Sequence, residues 1–297
     1  MPSVLKCCSV HSYADDTQLV FSFDPDLSRV SVRNLNDDLL RLSSWVLKNG
    51  LTVNPSKSSV LAIGNKYNRY KFLAHNLNII FDGKTLPFSS YVKSLGIYID
   101  EELNFTEHVN KKLQCAYSRL KSIFPFRSGL CNSIKLNLCR SLVLSIIEYC
   151  DTVYVPNLRM IDLNRLRLLQ NSCVRFSYGI RKFDHISQHR IMCNMNSVYN
   201  NMLVHFLIFL HKVVLTGEPD YLFAKLLWRD TSIGHFNLRN HDQISIPRHR
   251  TNKFKSSFSY MAAKWYNKLP VEFKSLNLIS FKSKIKGFLD STDFSLW

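Results

Sequence analysis

The sequence has no Cys-x-x-Cys pair among its eight cysteines (Cys7, Cys8, Cys115, Cys131, Cys139, Cys150, Cys173 and Cys193). Most of them sit inside apolar helical patterns, and no signal peptide is expected ahead of them. Buried free thiols in a reducing compartment are therefore the expectation. A run long enough to span a bilayer is also missing: the longest apolar stretch, residues 203–215, is short and is interrupted by His205, His211 and Lys212. This predicts a soluble intracellular chain with no membrane partner. Internal repeats, low-complexity tracts, cysteine-rich knuckles and runs of five or more basic residues are absent too, so nothing marks a solenoid, a zinc-based RNA reader or a nuclear signal.

Acid is scarce in one part of the chain. Residues 1–107 carry 11 Lys/Arg and 11 Asp/Glu, whereas residues 108–297 carry 28 and 11, which accounts for the whole net charge of +17. No acidic residue lies between Glu107 and Glu148, while Lys111, Lys112, Arg119, Lys121, Arg127, Lys135 and Arg140 are all basic. A neutral first third followed by a basic remainder suggests a polyanionic partner held downstream, an ordinary basic surface being the plainer alternative. The 297 residues, 46% hydrophobic and 12% aromatic, exclude a disordered chain and leave room for two units with their own cores.

The stretch that carries chemistry is Tyr13-Ala14-Asp15-Asp16, followed by the apolar run Leu19 to Phe23. Adjacent carboxylates repel, so such a pair belongs at a solvated turn or around a cation. Mg²⁺ takes one or two carboxylates together with phosphate oxygens and water. A hairpin with arms at residues 5–10 and 19–23 would present this pair at its tip, and Asp24-Pro25-Asp26 would end the second arm. A helix is predicted over 31–48, with Leu35, Leu39, Leu42 and Val46 on its core face and Asn49-Gly50 as its stop. Leu51-Thr52-Val53-Asn54-Pro55-Ser56-Lys57 then leads to an expected buried strand at 59–63. Asp82-Gly83 fits a type I′ hairpin turn between residues 78 and 86. Residues 92–100 read as one strand in which Gly96 allows close approach or a β-bulge.

From Asn104 the pattern is helical. Asn104 to Glu107 is a capping-box-like start, and Val109, Leu113, Ala116, Leu120 and Ile123 form an apolar stripe opposite Lys111, Lys112, Arg119 and Lys121. That arrangement suits a helix lying along a duplex backbone, a solvated basic face being the simpler alternative. Further helices are expected over 132–149, with Ile134, Leu138, Leu142 and Ile146 in register, over 156–176 and over 186–215. His185, His189 and Cys193 share a face in the last of these, but zinc needs a fourth ligand and usually tighter spacing. In the tail, Phe254, Phe258, Tyr260 and Trp265 alternate with bases, a composition suited to stacking on unpaired bases as well as meeting phosphates.

In order, Tyr-Ala-Asp-Asp-Thr-Gln at 13–18, Leu39-Leu40-x-Leu42-x-x-Trp45, Gly50-Leu51-x-Val53-Asn54-x-x-Lys57 and Leu95-Gly96-Ile97-x-Ile99-Asp100 resemble the reverse transcriptase of non-LTR retrotransposons of the jockey or CR1 kind. The likeness continues through Leu169-Gln170 and Arg175, Pro219 to Leu222, Pro247-Arg248 with Arg250, Trp265 to Pro270, and Phe281 to Lys286. Tyr266 intrudes between Trp265 and Asn267, Ile285 stands for a common Leu, and Ser58 replaces a frequent Thr. The resemblance implies an α+β fold: a partial polymerase palm over 1–103, an antiparallel sheet with a packed helix, then a helical thumb-like region over 104–180 and a basic helical extension over 181–297. It also implies two-metal nucleotidyl transfer with Mg²⁺ or Mn²⁺ held by Asp15 and Asp16, Asp15 being the essential member. Lys57 would lie near the leaving pyrophosphate, and Gly96 would belong to the primer grip. Tyr13, Gly96, Lys111, Lys112, Arg119 and Lys121 would touch nucleic acid: an RNA template with a DNA primer or target DNA, and deoxynucleoside triphosphates if the chain is active. In the family a third aspartate and the template-holding fingers precede the Asp pair. None is found here, so the expectation is a polymerase by descent that is inactive alone, with a non-catalytic nucleic-acid-binding protein as the alternative.

Overall fold

The computed structural model describes residues 4–229 and 243–291. Two units divide the chain, Met1–His108 and Val109–Trp297. The first is α+β with small antiparallel sheets; the second, among the described residues, is helical apart from one isolated bridge between Trp228 and Ile244.

Strands β1 (Ser9–Tyr13) and β2 (Asp16–Val20) form the first hairpin, with Tyr13 opposite Asp16 and Ser9 opposite Val20. The expected arms are shifted, because residues 5–8 are not strand: their backbone is held by a side chain of the following helix, described below. Helix α1 (Ser28–Lys48) follows a 3₁₀ turn opened by Asp24, whose carboxylate accepts from the Asp26 N–H at 3.0 Å. It ends at Asn49 before Gly50 at φ 68°. Its face is the expected one: Leu39, Leu42 and Val46 are buried and Leu35 half-buried, joined by Val32. They meet Phe72 of α2 (Lys66–Leu73), together with Ile79, Phe81 and Leu86 around the hairpin β3 (Ile80–Phe81) and β4 (Lys84–Thr85). Burying each such side chain contributes about 1.5–3 kcal/mol, and this cluster is what holds the first unit together.

Asp82 and Gly83 both take positive φ, 49° and 73°, as a type I′ turn requires. Two strand expectations fail. Residues 59–63 contribute only an isolated parallel bridge from Val60 to Phe88 and are not fully buried, since Pro87 and the following residues offer a single carbonyl and N–H to pair with. Residues 92–100 are two strands, not one: β5 (Tyr91–Ser94) turns back into β6 (Ile97–Asp100) at Leu95-Gly96, whose φ values are 46° and 83°. Gly96 is a turn residue, not a bulge.

Helix α3 (Thr106–Ile123) runs into the second unit and buries the predicted stripe Val109, Leu113, Ala116, Leu120 and Ile123. The next predicted helix is α4 (Asn132–Leu138), a π-helical segment over Cys139–Leu144 and α5 (Ser145–Glu148). Its buried face is Leu136, Cys139, Val143, Leu144 and Ile147, while Ile134 and Leu142 are exposed. The face at Ile134, Leu138, Leu142 and Ile146 is therefore corrected. Cys139 acts as a core residue there, and the wider π turn advances the register. α6 (Asp151–Tyr154) and a 3₁₀ turn containing Pro156 precede α7 (Met160–Tyr178), which Gly179 closes at φ 68°.

α8 (Ser187–Met192) and α9 (Val198–Thr216) replace the single helix expected from 186, the chain breaking at Cys193-Asn194 where Asn194 takes φ 47°. By length and composition α9 is long and apolar enough to cross a membrane. Its Met202, Leu203, Phe206, Leu207, Leu210 and Val213 are buried, so here it is the core helix of its unit. Around it pack α6, α7, α10 (Asp220–Phe223), α11 (Phe258–Tyr266) and, beyond α12 (Val271–Lys274), α13 (Leu278–Ser291). His211, fully buried on α9, stacks on Phe281 at 4.0 Å, and its Nε2 meets the Leu276 carbonyl at 2.8 Å; burial lowers its pKa. Of the regions expected at 104–180 and 181–297, residues 109–180 and 181–297 share this unit, and residues 104–108 belong to the first.

Candidate functional site

The turn between β1 and β2 has two central residues, Ala14 and Asp15. Ala14 takes φ 51°, a left-handed angle that glycine usually supplies in a two-residue hairpin turn. Tyr13 is 70% exposed, and Asp15 and Asp16 are both exposed. Among the described residues neither carboxylate is in an ion pair. The hairpin is tied on one side by Leu19, which packs against the first unit's core, and across its strands by the Ser12 and Thr17 hydroxyls at 3.3 Å. On the other side Gln18 donates a hydrogen bond to the Ser94 hydroxyl. Ser94 is the last residue of β5, next to the Leu95-Gly96 turn. Two of the predicted segments, the Asp-Asp hairpin and the segment carrying Gly96, are thus brought together. Lys57 ends a 3₁₀ turn opened by Asn54, whose side chain accepts from the Ser56 N–H at 3.1 Å, and the lysine is exposed.

The most connected carboxylate of the unit is one the sequence reading did not single out. Asp38 is fully buried on α1. It accepts the backbone N–H groups of Lys6 (3.0 Å), Cys7 (2.8 Å) and Cys8 (3.1 Å), the Cys7 thiol (2.9 Å) and an Arg41 guanidinium N–H (2.6 Å). Burial alone would raise its pKa, but those donors together hold the carboxyl well below the usual carboxylate range. The thiols move the other way: burial, followed by their neighbours, raises Cys7 and pushes Cys8 up to about 12. Cys7, Cys8 and Asp38 form the one group of three potential metal ligands among the described residues, their ligand atoms all within 4.8 Å of one another. With Asp38 saturated by N–H donors and both thiols kept protonated, the arrangement is a clamp that fastens the chain before β1 to α1. The available signal was an acid at position 38, inside the apolar stripe between Leu35 and Leu42 and three residues before Arg41.

In the second unit, α3 spreads its basic residues around the helix. At about 100° per residue, Lys112 and Arg119 fall on one flank of the buried stripe, Lys121 on the other and Lys111 on the back. Lys111, Arg119 and Lys121 are exposed, whereas Lys112 is half-buried with its ammonium 5.1 Å from the Tyr149 ring. Elsewhere in the acid-free stretch Lys135 is buried, and Arg140, though exposed, donates to the Cys193 carbonyl at 2.5 Å.

The tail departs from its expectation at Trp265, which is 1% exposed and unable to stack on a base. Instead Lys264 and Lys268 place ammonium groups 4.7 and 4.9 Å from its ring, and Phe258 packs on Phe206 and Phe209. Burial, then the like charges of Lys268 and Lys255, lower the Lys264 pKa. His185, His189 and Cys193 do not gather as a metal-ligand group. One further pair was not anticipated: His205 Nδ1 lies 2.7 Å from the buried carboxylate of Asp151, a hydrogen bond that raises the His205 pKa.

Compared with known proteins, the chain matches no protein-family model, no curated protein and no solved structure.

Proposed function

We propose that this chain is the palm-and-thumb portion of a reverse transcriptase of the non-LTR retrotransposon kind, an RNA-directed DNA polymerase by descent. The observation that carries the reading is the Tyr13–Asp16 turn: two exposed carboxylates at the tip of an antiparallel hairpin, joined through Gln18 and Ser94 to the hairpin that carries Gly96. The donor set fits a hard cation, because Mg²⁺ and Mn²⁺ accept one or two carboxylates and complete their shell with water and phosphate. Asp15 and Asp16 would hold the ion, which when bound supplies charge neutralisation at a triphosphate and acidifies a nearby hydroxyl. Lys57, exposed on its short turn, is available to a pyrophosphate, and the basic second unit to a nucleic-acid backbone.

Among the described residues no third carboxylate joins Asp15 and Asp16. The chain alone is therefore expected to hold primer and template and to extend a primer poorly. The second reading, a nucleic-acid-binding protein that no longer polymerises, is favoured by that same gap and by the placement of the whole +17 charge in residues 108–297. Primer extension on an RNA template in Mg²⁺ or Mn²⁺ separates the two. Weak extension that disappears in Asp15→Asn, Asp16→Asn supports the polymerase. Equal, null extension by both proteins, with binding intact, leaves the second reading.

A further inference from the structure

Between α3 and α7 lies an open groove of about 340 Å³ lined by Asn110, Leu113, Gln114, Tyr117, Arg165 and Leu168. Its α3 wall follows from helix geometry: positions 110, 114 and 117 fall on one flank of the buried stripe, and Lys121 continues that line one turn further. Leu113 is the core residue at its edge. From α7 come Leu168, 58% exposed, and Arg165, whose guanidinium is held 3.0 Å from the buried carboxylate of Asp162. Asp162 also pairs with Arg159 at 3.4 Å, so its charge is spent on two cations.

The groove thus combines an aromatic ring 40% exposed, an exposed apolar side chain, two carboxamides and a guanidinium fixed from behind. A volume near the lower end for ligand sites suits one planar heterocycle and not a long ligand. Carboxamides pair with the donor and acceptor edges of a base, and a phenol ring offers it a stacking face. A purely apolar ligand would leave the Gln114 amide unused, and a small anion would find one guanidinium already neutralised.

We propose that the α3–α7 groove receives one unpaired nucleobase of a bound single strand. Tyr117 stacks on the base and Gln114 meets its hydrogen-bonding edge, while Arg165, neutralised by Asp162, walls the groove on the α7 side. The proposal rests on the nucleic-acid-binding reading above and adds that the second unit contacts bases as well as backbone. Stacking of this kind strengthens binding by roughly tenfold per base, whereas phosphate contacts set the salt dependence.

The test is fluorescence anisotropy with the full chain and two single strands of equal length, one natural and one with every base removed. The wild-type protein is expected to bind the natural strand about tenfold more tightly. Tyr117→Leu should remove that preference without altering the slope of log K against log salt, and Tyr117→Phe should keep it. Lys111→Gln, Arg119→Gln should flatten the slope and keep the preference. Because Tyr117 is partly exposed, thermal unfolding of its variants serves as the folding control. Equal binding of both strands by wild type, or a preference that survives Tyr117→Leu, overturns the groove while leaving backbone binding in place. Failure to bind either strand overturns the nucleic-acid reading itself.

Discussion

Asp38 shows how much one residue carries in the first unit. Three backbone N–H groups depend on its carboxylate, and removing it leaves them without that acceptor and Arg41 without its partner. Asp38→Ala is expected to cost about 3 kcal/mol in urea unfolding. The sign with pH follows from its depressed pKa. The stabilisation is complete above the unfolded-chain value near 3.8 and is lost as pH falls below it. Acid unfolding of Asp38→Ala should accordingly show a shallower slope below about pH 4 than wild type. His205 behaves oppositely. Its pKa is raised by the hydrogen bond it donates to Asp151, so the stability it adds is present below the ordinary histidine value of 6.5 and disappears as pH rises through the higher folded value. Histidine NMR titration should place it above 6.5, and Asp151→Asn should bring it down. Both residues lay outside the sequence reading for one reason. A buried charge is recognised by its partners, and those come from 54 positions away for His205 and 30 to 32 for the backbone donors to Asp38.

Among the elements, what could be read from sequence was what local chemistry dictates. Asp82-Gly83 announces its turn because both residues tolerate positive φ, and the stripes of α1 and α3 are regular at helical period. The Leu95-Gly96 turn was missed because leucine rarely takes φ 46°. That conformation costs an ordinary residue about 1–2 kcal/mol. Leu95→Asn, at a position 45% exposed, is therefore expected to stabilise the first unit by about 1 kcal/mol in thermal or urea unfolding. Gly96→Val should destabilise it by about as much or more. Faces that depend on a π turn or on a break at a positive-φ asparagine, as at residues 139–144 and 194, carry no periodic signature that a residue count can follow. Ala14 in the Asp15–Asp16 turn belongs to this class too: its left-handed backbone sits where the proposed chemistry is.

At the scale of the whole molecule, sequence and structure divide the work in the same place. The charge changes at residue 107 and the compact units meet at 108 and 109, so a neutral α+β unit with the carboxylate turn precedes a helical unit carrying the excess positive charge. The cation count overstates the positive charge open to a partner, since Lys112, Lys135, Arg140 and the lysines over Trp265 have contacts within the fold. Binding to duplex or single strands should weaken with salt, and Lys111→Gln, Arg119→Gln should reduce the slope of log K against log salt by about 1.4–1.8, one increment per lost phosphate contact.

The most direct test of the central claim is Mn²⁺ binding, followed by water proton relaxation, with primer–template and a deoxynucleoside triphosphate present. A protein-bound ion is expected that is lost in Asp15→Asn, Asp16→Asn and kept in Cys7→Ser, Cys8→Ser. A bound ion that survives the loss of both turn carboxylates, or no protein-bound ion in wild type, would contradict it.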